Sequence, residues 1–174
     1  MTPSPPACLA ILTAALSMSA AFAFPDGAPW GAANPAAAED CASCHFGADP
    51  VHGSEALSIV GLPDRAGAGE SYELVVRFED EEIVTAGFQL FAAAGHGDAG
   101  TIVSSTADVE FAGAAIRSTA PVRSPGSASW TMEWRAPAAI DSPIVFFVAA
   151  SAANDDGSPL GDTIHYEMYS VPAE

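Results

Sequence analysis

The stretch "SWTMEWR" (residues 129–135) sets Trp130, Met132 and Trp134 against Thr131, Glu133 and Arg135 in strict alternation. A period of two puts the first three on one face of a β-strand and the others on the opposite face. Two indoles and a thioether make a large apolar payload, so that face is expected in a core. From residue 55 onward, short runs rich in Val, Ile, Phe and Tyr recur between Gly, Pro, Asp and Asn. This texture predicts an all-β sandwich of about eight strands over 55–174, rather than βαβ units. The expected strands are 56–60, 71–78, 85–93, 100–104, 109–117, 128–135, 144–150 and 162–170. "VFFVAA" (145–150) is continuously apolar and predicts a central strand. In "DTIHYEMY" (162–169), Ile164, Tyr166 and Met168 share a face read as core, which turns Thr163, His165 and Glu167 outward. "EDEE" (79–82) reads as a solvated turn. No internal repeat or long helical period interrupts this pattern.

At the other end, "ACLAILTAALSMSAAFAF" (7–24) is apolar and uncharged and closes on the small-x-small pattern Ala21-Phe22-Ala23. It predicts a signal peptide over 1–23 that carries Cys8 away on cleavage, with an uncleaved anchor as the alternative. The run is shorter than the roughly 20 residues that span a bilayer as a helix. No second apolar span follows and the chain ends in "SVPAE", so a soluble periplasmic or extracellular protein is expected. The formal net charge is -17, and the five basic residues are all Arg: 65, 77, 117, 123 and 135. Such a balance disfavours nucleic acid and anionic membrane surfaces and points to a cationic docking face on any electrostatic partner.

Between these parts, 24–54 reads as a Pro/Gly/Ala leader and haem-attachment segment that carries "CASCH" (41–45). Cys-x-x-Cys-His has a specific use. Two thiols form thioethers with haem vinyl groups, and the adjacent histidine then ligates iron on one face. Three other readings compete. A Cys41–Cys44 disulfide closes a very small loop and stabilises little. A thioredoxin-like motif wants a βαβ context and a following helix. A zinc site lacks an evident fourth ligand. Covalent haem c is therefore expected, with Cys41 and Cys44 as tethers and His45 as proximal ligand.

For the second axial position the candidates are His52, His96, His165, Met132 and Met168. The methionines fall on faces read as core, His52 reads as surface, and His96 lies in a Gly-rich loop. His165 is the first choice because alternation turns it outward, and a five-coordinate iron is the alternative. Arg65 and Arg117 are candidate propionate partners. The loop "NDDGSPLGD" (154–162) offers Asp155, Asp156 and Asp162 to Ca²⁺, but it lacks EF-hand spacing and reads first as an Asp/Gly/Pro turn. No Gly-x-Ser-x-Gly elbow, zincin motif or phosphate loop is present, so no enzyme class is expected.

In order, "CASCHFGADP", "LSIVGLP", "ESYELVVRF", "AGFQLFAA" with "GDAGTI", "WTMEWRAPA" and "IVFFVAASAANDDGSPLGDTI" resemble the bacterial Reeler-like domains known as choice-of-anchor V. The resemblance runs from Cys41 to Thr163. Its most specific elements are Gly87-Phe88-Gln89, Trp134-x-Ala136-Pro137 and Asn154 with Gly161-Asp162. It implies an immunoglobulin-like (Reeler-like) sandwich outside the cytoplasm, and its haem motif carries over to Cys41, Cys44 and His45 alone. The expected function is an exported monohaem c-type cytochrome. The alternatives are a five-coordinate haem sensor for a small ligand such as NO or CO, and a haem-free adhesion-type sandwich with a Cys41–Cys44 disulfide.

Overall fold

The computed structural model describes residues 29–174 apart from Pro35 and Gly97, so the signal-peptide reading lies outside the described residues. The chain is all-β, in two packed sheets. One sheet has seven strands: β1 (Phe46–Gly47), β2 (Val51–His52), β5 (Thr85–Ala94), β7 (Val109–Ala112), β8 (Ala115–Ser118), β10 (Ile144–Ala153) and β11 (Leu160–Val171). Its path runs β1-β11-β10-β5-β8-β7, with β2 also paired to β11. The other sheet has four strands in the order β3 (Leu57–Val60), β4 (Ser71–Glu79), β9 (Ser127–Arg135), β6 (Thr101–Ser105). None of the described helices is long and apolar enough to cross a membrane.

The core lies between the sheets, and β9 supplies its centre as the alternation requires. Trp130, Met132 and Trp134 are all buried there. Trp130 stacks on Phe88 at 4.3 Å, Trp134 meets Phe146 edge-on at 5.0 Å, and its indole N–H donates to the Ala99 carbonyl. Every expected strand has a counterpart. The expected run 109–117 is broken at Gly113, whose φ of 58° makes the tight connection between β7 and β8. The "EDEE" turn is present, with the Glu82 amide donating to Asp80 Oδ1.

β10 is central, between β11 and β5. Its continuous apolar sequence reflects two covered faces. Phe146, Val148 and Ala150 point into the main core, while Phe147 and Ala149 join a second cluster on the outer side.

That second cluster corrects the reading of β11. Ile164 and Tyr166 do share a face, but it is the outer one, where they pack with Ala149 of β10 and with Ala33, Cys41 and Ala42 of the leader. Met168, expected in the core, lies beyond the leader and is 59% exposed. His165, expected to face outward, points inward, is 4% exposed, and sits edge-on to Phe78 of the core. Alternation assigns residues to the same face; it does not say which face is covered.

Candidate functional site

The leader is clasped to the outer face of the seven-stranded sheet by two side chains. Gln89, in register beside Ala149 and Arg117, donates from Nε2 to the Pro29 carbonyl at 2.7 Å and accepts the Ala33 amide at 3.1 Å. Tyr166 Oη accepts the Ala42 amide at 3.0 Å. Trp30 is covered by the Arg117 guanidinium, 4.5 Å from the ring centroid. Buried amide and hydroxyl groups satisfied in this way turn a Pro/Gly/Ala segment into an ordered layer.

Within that layer, Cys41–Ser43 forms a single 3-10 turn. Asp40 caps it, its Oδ1 accepting the Ser43 amide at 2.9 Å and the Ser43 hydroxyl at 2.8 Å. Residues three apart eclipse on such a turn, which brings Cys41 and Cys44 to one side. The chain then runs parallel to β11, with Phe46 opposite Leu160 and Gly47 opposite Asp162. Gly47 has φ 117°, and a Cβ there would stand 2.8 Å from the Gly161 amide nitrogen. Only glycine permits this approach.

The close approach brings His45 to Asp162, with Nδ1 2.7 Å from Oδ2. Asp162 is 3% exposed, and its other oxygen, Oδ1, has no hydrogen-bond partner among the described residues. Cys41, Cys44 and His45 together line one wall of a cavity of about 500 Å³. Its floor is made of small side chains on the outer face, Gly87, Ala149 and Ser151, and a further wall is formed by Ser118, Thr119, Ala120 and Pro121. The volume lies in the range of small-molecule and cofactor sites, and the lining is mainly apolar.

Cys41 and Cys44 are not disulfide-bonded. Burial, reinforced by the charges of Asp40 and Cys44, pushes the Cys41 thiol up to about 12. A thioredoxin-like motif needs a βαβ context with a helix after its first cysteine, and here Cys41–Ser43 is a single 3-10 turn in an all-β chain, which does not provide it. A thioether does not ionise and suits the same apolar position. Among the described residues, no group of three or more His, Cys, Asp or Glu is placed to hold a metal ion, and no fourth zinc ligand joins the motif.

The other candidates scatter. His165 is corrected as an axial ligand: it lies on the inner face of β11, its Nδ1 2.8 Å from Ser54 Oγ, with the sheet between it and the leader. Met132 is packed in the core, and His96 is exposed in the loop after β5. His52 reaches the outer face but stacks on the Tyr166 ring at 5.2 Å and does not line the cavity. Arg65 is exposed and donates to the Ala173 carbonyl at 2.7 Å, away from the cavity lining. Arg117 adjoins Ser118 of the wall and pairs with Glu110. The three carboxylates considered for Ca²⁺ are kept apart: Asp155 pairs with Arg123, Asp156 accepts from Asn154 and the Ser158 amide, and Asp162 turns to His45.

Sequence reasoning missed Gln89 and Tyr166 as clasps and Asp162 as the partner of His45. Gln89 did leave a signal, a polar amide inside the otherwise apolar β5. Asp162 stood out only as a Ca²⁺ candidate and within Gly161-Asp162, and nothing local pointed to His45, since the contact closes across 117 residues.

No protein-family model matches the chain, and no curated protein sequence matches it. Solved structures similar to it include the human F-spondin reeler domain, at 18% identity over 74% of this chain and 94% of that one, with a TM-score of 0.48. Another structure, titled as the Reelin-N domain of F-spondin, is 19% identical over 74% and 92% of the two chains, with a TM-score of 0.49. AvmM, described as catalysing macrocyclization in alchivemycin A biosynthesis, is 13% identical over 70% and 90%, with a TM-score of 0.43.

Proposed function

We propose that this chain is an exported haem c protein, tethering the group through Cys41 and Cys44, ligating it through His45, and serving one-electron transfer in the periplasm or outside the cell. The observation that carries this reading is convergence: both thiols and the histidine line the same cavity, and Asp162 occupies Nδ1 of His45, leaving Nε2 as the nitrogen able to ligate. When bound, haem supplies an Fe(III)/Fe(II) couple and, where an axial position stays open, a site for a small ligand such as NO or CO. The residues of the chain do the rest. Gln89 and Tyr166 hold the leader against the sheet, and Gly87, Ala149 and Ser151 keep space above it; Arg117 adjoins the wall, with its guanidinium paired to Glu110 and covering Trp30. The charge of -17 suits a redox partner with a cationic docking face.

A specific observation favours the sensor alternative as a second reading. Among the described residues, the cavity lining holds no histidine or methionine besides His45, and His165 and Met132 are in the core. A site with one protein ligand is suited to taking a small molecule on its other side.

The test is export in a host with c-type maturation machinery, followed by absorption spectra in oxidised, reduced and pyridine haemochrome forms. The parent is expected to retain haem through denaturation with a thioether-type spectrum, and Cys41→Ser/Cys44→Ser to lose it. A low-spin parent supports electron transfer, and a high-spin parent supports small-ligand binding. A parent exported without covalent haem would sink both readings.

A further inference from the structure

We propose that Asp162 is the positioning residue of the site, holding the proton of His45 on Nδ1 and fixing the ring so that Nε2 is presented as the ligating nitrogen. This rests on the reading of His45 as an iron ligand. The argument begins with what the burial of Asp162 costs. A carboxylate 3% exposed is costly unless it is paired and hydrogen-bonded. Among the described residues its ion-pairing partner is His45; Arg123 pairs with Asp155, Arg117 with Glu110, and Arg65 donates to the Ala173 carbonyl. The His45 imidazole lies 2.7 Å from Oδ2, and Oδ1 has no hydrogen-bond partner among the described residues. The carboxylate's interaction is therefore directed at one ring nitrogen.

The backbone is arranged to keep it there. Gly161, at φ 84°, turns the chain into β11, and the parallel pairing of Gly47 with Asp162 sets the 46–47 segment against it. Such an approach admits no side chain at position 47. A carboxylate behind a ligating histidine fixes its tautomer and raises its basicity. The more basic nitrogen favours the more highly charged iron, so Asp162 is expected to hold the reduction potential down.

The experiment uses the full chain in two forms. In the haem-loaded protein, Asp162→Asn is expected to fold, keep covalent haem and shift the midpoint potential upward. Gly47→Ala, which retains the carboxylate but pushes the two segments apart, is expected to shift it in the same direction. A residue that merely anchored the leader would lower thermal stability and leave the potential where it was. In the chain expressed without haem, ¹⁵N spectra of the neutral His45 ring are expected to show the Nδ1–H tautomer in the parent and its loss in Asp162→Asn. An unmoved potential in a folded, loaded Asp162→Asn protein overturns the proposal, as does an Nε2–H tautomer in the haem-free parent. Where Asp162→Asn fails to fold, an unmoved potential in Gly47→Ala does so. Failure of the underlying haem reading looks different: no covalent haem in the parent, whatever the tautomer.

Discussion

His165 carries the clearest consequence of burial for a single group. It lies between Ser54 Oγ at 2.8 Å and Asp80 Oδ2 at 3.6 Å from its two ring nitrogens, and Nε2 has no hydrogen-bond partner among the described residues. Burial lowers its pKa below the ordinary histidine value, and the charges of Asp80 and Glu82 only partly offset this. The folded chain therefore binds this proton less readily than the unfolded one. Stability from a neutral His165 is fully present above the unfolded value of about 6.5 and is lost as pH falls toward the folded value. The urea midpoint of the parent should fall between about pH 7 and about pH 5, and His165→Gln should flatten that slope. An equal slope in the two proteins would mean that other groups carry it. The residue was visible in the sequence as a histidine on one face of a strand, but its surroundings come from β4 and from the 53–56 segment, which only folding brings near.

Among the elements, β9 and β10 were legible because each one's burial is written into its own residues. Strict alternation marks a strand with one covered face, and an unbroken apolar run marks one with two. β11 was only half legible. Its alternation was read correctly, but the cover on its outer face comes from the leader, whose Pro, Gly and Ala carry no periodic signal. The leader's order depends on Gln89, the buried amide of β5. Removing it in Gln89→Leu leaves the Ala33 amide and the Pro29 carbonyl unpaired, at about 1 kcal/mol or more for each lost bond. Hydrogen exchange at leader amides 32–42 should quicken by about thirtyfold or more, while β9 amides keep their protection. Unchanged leader exchange would show that Tyr166 and Trp30 suffice to hold it.

For the whole molecule, a charge of -17 on a chain with no lysine means that folding gathers like charges, which the pairs Arg117–Glu110 and Arg123–Asp155 offset only locally. Compactness under self-repulsion improves when salt screens it. The thermal midpoint should rise as ionic strength goes from about 0.01 M to about 0.15 M, where the Debye length falls from about 30 Å to about 8 Å. A midpoint that falls or stays level would place the repulsion in the unfolded chain as much as in the folded one. The sandwich and its strands were determined by the sequence itself, because strand period and turn residues are local properties. What the tertiary structure alone decided is where the Cys-x-x-Cys-His motif sits: on the outer face of the larger sheet, over small side chains, with a carboxylate from the far end of the chain behind its histidine. Local pattern encodes which residues lie together along one strand. Which face another segment covers, and which buried groups meet across more than a hundred residues, is settled only when the layers pack and unpaired polar groups must find partners.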